Sequence, residues 1–176
     1  MRGKSLIIIL FLTIGCMQGQ EESVKPVKVT PEDRDPIDGM YVAKYPAWKA
    51  EIVLKNGSAV KFMCPKHMFE YYHNVNYYMG KDHVEYLKSR EDVAAMFVTD
   101  YTTKRWIDAR SAHYVVDSDI KSPMGDDLIP FSKKEEAENF MMDHGGWITT
   151  FDNVDKELLK KLESAPMKMD MEMPMK

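Results

Sequence analysis

From residue 48 onward, apolar positions recur at strand and helix spacings. Residues 48–54 (Trp-Lys-Ala-Glu-Ile-Val-Leu) predict a strand, Asn56-Gly57 predicts a hairpin turn, and 59–63 predicts the return strand. Pro65 suits the first turn of a helix with Cys64 as its N-cap, and the helix is expected to run to about residue 74. Residues 94–99 predict a strand, and 105–107 a short extended piece. The pattern then starts again. Residues 112–117 and 128–131 read as strands around a Ser122-Pro123-Met124-Gly125 loop. Ser132 and Glu135 form an expected capping box for a helix over 133–143 that stops at Gly145-Gly146, and 147–151 closes the unit as a strand. Both halves read strand–loop–strand–helix–strand. The expectation is an α+β fold of two tandem ββαβ units, followed by a short amphipathic helix over 154–162.

The two ends break this pattern. Arg2 and Lys4 precede a ten-residue run, 5–14, that is apolar except for Ser5 and Thr13 and too short to span a bilayer. Leu12-Thr13-Ile14-Gly15-Cys16 resembles a bacterial lipobox. It predicts a signal peptide over 1–15, lipidation of Cys16, and an exported lipoprotein held at the membrane and facing the periplasm. Residues 16–36 are polar, with Pro26 and Pro31, and read as a flexible tether. The folded domain is expected over 37–163. Residues 164–176 read as a Met-rich tail without fixed structure, carrying Met at 167, 169, 171, 173 and 175.

The chain has 176 residues, with 24 Lys+Arg against 28 Asp+Glu and a net charge of −4. That balance argues against a nucleic-acid partner. Two cysteines cannot build a disulfide scaffold, and with Cys16 lipidated Cys64 is a lone exported thiol. Such a thiol points either to metal or redox contact or to a small buried hydrophobe.

Cys64, His67 and Met68 stand at i, i+3 and i+4 of the expected helix, on one face. Thiolate, imidazole and thioether together favour Cu(I), and a helix N-terminus favours the thiolate. The packing alternative places Cys64 and Met68 in the core. Met40, after Gly39, and Met124, in the Ser-Pro-Met-Gly loop, sit where a methionine has less reason to serve packing. The alternating methionines Met167, Met169, Met171, Met173 and Met175 offer an auxiliary set of soft donors. His73, His83, His113 and His144 read as structural, and no catalytic triad, phosphate loop or close carboxylate pair stands out.

The order of motifs resembles the NosL family of copper-binding lipoproteins that assist nitrous oxide reductase. The resemblance rests on Gly39-Met40, Tyr45-Pro46-Ala47-Trp48, Val98-Thr99-Asp100-Tyr101, Trp106-Ile107-Asp108-Ala109, Ala112-His113-Tyr114-Val115-Val116, Ser122-Pro123-Met124-Gly125 and Leu128-Ile129-Pro130-Phe131. It implies a duplicated ββαβ fold akin to organomercurial lyase, no enzymatic activity, and delivery of Cu(I) to the copper centres of nitrous oxide reductase or to another copper-delivery component. The family's ligands lie in a Cys-Gly-Met motif and at the methionine of Ser-Pro-Met-Gly. Met40 and Met124 match, Asp38 stands in place of the motif cysteine, and Cys64 is the thiolate that could replace it. The rival readings are a general copper-scavenging lipoprotein and a metal-free structural one.

Overall fold

A computed structural model describes residues 23–78 and 87–164. The signal peptide, Cys16, His83 and the tail methionines therefore lie outside the described residues. The chain forms β1 (Ala50–Leu54), β2 (Ala59–Phe62), α1 (Pro65–His73), α2 (Val75–Tyr78), β3 (Val93–Thr99) and β4 (Trp106–Asp108). It continues with β5 (His113–Val116), β6 (Ile129–Phe131), α3 (Lys134–His144), β7 (Trp147–Thr150) and α4 (Lys156–Ser164). Two antiparallel sheets result, in the orders β2-β1-β3-β4 and β6-β5-β7. The expected duplication is present. In each half the first strand is central, flanked by its hairpin partner and by the strand that follows the helix. The strand β4 extends the first sheet beyond the repeated unit.

Side-chain alternation explains how the halves join. On β5, Tyr114 and Val116 enter the main core, while Val115 enters a smaller core beneath α3 with Phe131, Ala137 and Phe140. The main core is shared between halves: Ile52 of β1, Met68 and Phe69 of α1, Tyr114 of β5, and Leu159 and Leu162 of α4. Phe69 meets the Tyr114 ring edge-on, with centroids 5.5 Å apart. Each fully buried large apolar side chain contributes about 1.5–3 kcal/mol, so neither half retains its full core without the other.

Two boundaries differ from the sequence expectation for identifiable reasons. The Ser132–Glu135 capping box does not form. The Ser132 N–H donates to Asp100 Oδ2 at 2.7 Å, and α3 starts one residue later, with Lys133 as its N-cap and no side-chain cap. α4 begins at Lys156 rather than 154, where Leu158 N–H donates to the Asp155 side chain at 2.8 Å.

The larger difference concerns the segment read as tether. Part of it is fastened across the outer face of the first sheet. Val27 N–H donates to Glu51 Oε1 at 2.8 Å, and Lys61 Nζ donates to the Lys28 carbonyl at 2.6 Å and to Asp33 at 2.8 Å. Glu51 and Lys61 are opposite one another in the β1–β2 register, so both point out of the apolar core toward this arm. Polar composition looked like solvent exposure, but here polar residues of the arm meet polar residues of the sheet. No helix among the described residues is long and apolar enough to cross a membrane.

Candidate metal centre

The site is built around the first turn of α1. Pro65 occupies its start, and Cys64, in extended conformation (φ −154°, ψ 159°), precedes it as expected. Two loops, one before β1 and one between β5 and β6, are tied to successive residues of this turn.

The first loop is 35–40. It closes on itself: Asp35 N–H donates to the Met40 carbonyl (2.9 Å) and Gly39 N–H to the Asp35 carbonyl (2.8 Å). Gly39 takes φ +78°, a conformation that side chains disfavour, and lets the chain turn back at Met40. Met40 N–H donates to Asp38 Oδ1 at 2.9 Å. The Asp35 carboxylate is 1% exposed and fully engaged. It accepts Ile37 N–H on Oδ1, and Met63 N–H and His67 Nδ1 on Oδ2, the last two at 2.8 Å.

The second loop holds Met124. Ser122 and Gly125 exchange backbone bonds of 2.9 and 3.0 Å, and Met124 N–H donates to Ser122 Oγ at 3.0 Å. Lys66 fastens this loop to α1. Its ammonium donates to the Met124 carbonyl at 2.9 Å, and its backbone N–H donates to Asp127 Oδ1 at 2.8 Å. Thus His67 holds the loop of Met40, and its neighbour Lys66 holds the loop of Met124. Both methionines are half-buried.

The electrostatics follow from burial. His67 is 3% exposed. Burial alone would lower its pKa, but the hydrogen bond and charge of Asp35, joined by the charges of Asp127 and Asp38, outweigh it and raise the pKa. With Nδ1 bound to a carboxylate, Nε2 is the nitrogen available to a metal, the arrangement in which a second carboxylate orients a histidine ligand. Ligand atoms of Asp35, Asp38 and His67 lie within 4.8 Å of one another.

Cys64 departs from the sequence expectation. It is 0% exposed, and burial, with the charge of Asp127 next, pushes its thiol well above the usual range. The helix N-terminus was expected to favour the thiolate, but desolvation in the core decides otherwise. Met68 is also fully buried, among the apolar residues of the main core. Of the face drawn from Cys64, His67 and Met68, His67 is bonded to Asp35 at the base of the Met40 loop, Cys64 is buried beside Asp127 and Asp35, and Met68 faces the core.

Asp35, Lys66 and Asp127 were not singled out from the sequence. Their partners lie 28 to 61 residues away, which no local spacing reveals.

The NosL family profile matches residues 26–159. Curated relatives include the copper-binding lipoprotein NosL of Stutzerimonas stutzeri, 27% identical over 168 residues, covering 90% of this chain and 82% of that protein. Another is the copper-binding lipoprotein NosL of Achromobacter cycloclastes, 26% identical over 170 residues, covering 88% and 81%. The crystal structure of the copper chaperone NosL from Shewanella denitrificans shares the fold, with a TM-score of 0.63 at 22% identity, covering 76% of this chain and 97% of that one. The profile match extends through the fastened arm, both methionine loops and α1, and with it the chain belongs to the NosL family.

Proposed function

We propose that this protein is a membrane-anchored Cu(I)-binding metallochaperone, tethered through lipid on Cys16, facing the periplasm and serving assembly of the copper centres of nitrous oxide reductase. The observation that carries the reading is the fastening of the Met40 and Met124 loops to His67 and Lys66 at one end of α1. Two thioethers and an imidazole form a neutral, soft-to-borderline set that suits Cu(I). Neutral thioethers bind less tightly than thiolates, which favours handover by ligand exchange, with no bond made or broken in a substrate. The protonated, buried Cys64 stands behind this set rather than in it. The tail methionines Met167, Met169, Met171, Met173 and Met175 supply weaker, exchangeable capture.

The test is competition with a chromophoric Cu(I) chelator under reducing conditions. About one Cu(I) is expected in the folded body, and Met40→Leu and Met124→Leu should each weaken it at least about tenfold. Unchanged affinity in both variants would overturn the site. Transfer from the loaded protein to copper-depleted nitrous oxide reductase tests the client; retention of copper in that assay would leave the scavenger reading instead.

A further inference from the structure

We infer that the cavity at the far end of α1, closed by Lys88–Arg90 and the start of α4, binds a phosphate group through Lys88, Arg90 and Lys156. This site lies outside the metal centre, and the inference stands apart from the copper reading.

The cavity has a volume of about 540 Å³. His73 and Asn74 at the end of α1, Tyr77 of α2, Lys88, Arg90 and Lys156 line it. Cavities of about 300–1,000 Å³ suit small ligands. The methionine loops are tied to the first turn of α1 and this cavity adjoins its last, so nine residues of helix, about 13 Å, separate the two.

The lining carries an unbalanced charge. Lys88, Arg90 and Lys156 are exposed, and none of them forms an ion pair among the described residues. Against these three cations the lining sets the carboxylate of Glu91. The chain as a whole is negative, at −4, so this positive excess is local. Asp155, next to Lys156, has its carboxylate engaged by the Leu158 N–H at 2.8 Å. The imidazole of His73 registers the excess. Its pKa is lowered by burial first and then by the charges of Arg90 and Lys156, against the Val154 hydrogen bond and the charge of Asp155.

The cationic wall is also held in place. Arg90 Nε donates to the Tyr72 carbonyl at 3.1 Å, and the guanidinium lies over the Tyr72 ring, 4.7 Å from its centroid. Arg90 Nη2 donates to His73 Nδ1 at 3.1 Å, so His73 Nε2 carries the proton and donates to the Val154 carbonyl at 2.6 Å. Carbonyls at a helix C-terminus would repel an anion, but here they are taken. Those of Glu70 and Tyr71 accept the Asn74 N–H, and that of Tyr72 accepts Arg90. Arg90 Nη1 and the two ammonium groups keep their hydrogens for a ligand. Guanidinium and ammonium donors make their strongest bonds to anionic oxygens. Three such donors from separate segments exceed what one carboxylate balances, whereas a phosphate brings more oxygens and up to two charges. A soluble phosphate ester and a phospholipid headgroup both present that group.

The experiment uses the full chain in neutral detergent, titrated with inorganic phosphate and followed by nuclear magnetic resonance. Saturable shifts are expected at Arg90 Nε–H and at the backbone of Lys88 and Lys156. Lys88→Gln with Lys156→Gln, at exposed positions and with the fold checked by circular dichroism, should weaken phosphate at least about tenfold. Lys133→Gln with Lys134→Gln, two exposed lysines beside α3, should leave it unchanged. Repeating the titration in micelles that carry phosphatidylglycerol separates the sources. Displacement of phosphate by the lipid assigns the site to a headgroup, and undisturbed phosphate binding assigns it to a soluble ester. Absence of saturable shifts, or equal weakening by the two lysine pairs, would overturn the inference.

Discussion

Val27 and Glu51, 24 residues apart in sequence, are joined by a 2.8 Å hydrogen bond from the Val27 N–H to Glu51 Oε1. Glu51 is 0% exposed, and its other oxygen has no hydrogen-bond partner among the described residues. Burial is the main cause that lifts its pKa to about 7, opposed by the Val27 hydrogen bond and the charges of Lys61 and Lys49 and helped by the charge of Asp33. For an acid whose folded pKa is raised, folding favours the protonated form. Glu51 therefore costs nothing below about pH 4.5, and its penalty grows through about pH 7, reaching about 3 kcal/mol. Glu51→Gln should be more stable than the parent at pH 8 and nearly equal at pH 4.5. Denaturant unfolding at both values checks this; equal stability differences at the two pH values would refute it.

Lys66 fixes the Met124 loop through one side-chain bond, while its backbone bond to Asp127 survives substitution. Lys66→Met should fold normally, with a stability loss of about 1–3 kcal/mol, and should weaken Cu(I) roughly tenfold by loosening Met124. Chelator competition beside thermal melts separates the two effects.

Cys64 should resist thiol reagents in the native state, because both its burial and its raised pKa suppress the thiolate. Its reaction rate should follow unfolding of the chain. Cys64→Ala should cost about 1–2 kcal/mol as a small core deletion and leave Cu(I) affinity unchanged. A drop in affinity would return the thiol to the ligand set.

Gly146 has φ +86°, and a Cβ there would meet the Val116 carbonyl oxygen at 2.2 Å. Backbone cannot yield as a side-chain tip can, and the clash falls where β7 joins the central strand of the second sheet. Gly146→Ala should lose several kcal/mol, and the soluble yield on expression should fall accordingly. Gly145→Ala, with open space at its Cβ, should lose less despite its own positive φ.

Local chemistry made much of this legible. Asn56-Gly57, Pro65 and the repeat of strand and helix spacings announced the hairpin, α1 and the duplicated sheets, because each acts over a few residues. Met40, His67 and Met124 could be singled out by residue type and by resemblance. What escaped was long-range. Asp100 displaced the Ser132 cap from 32 residues away, and Asp35 and Asp127 became parts of the site only through contacts across 28 to 61 residues. Cys64 stayed open between ligand and buried hydrophobe because helix position was visible in the sequence and depth in the core was not. The arm looked like a tether because nothing in its own composition showed that Glu51 and Lys61 awaited it.

That arm sets the length of a leash. Under the proposed lipidation of Cys16, ten residues, 17–26, separate the lipid from the fastened Val27, a reach of at most about 35 Å. Releasing the chain as far as Asp35 adds eight more and extends that limit to about 60 Å. The height at which the copper-handling end can stand above the bilayer is therefore set by how much of the arm stays fastened to Glu51 and Lys61.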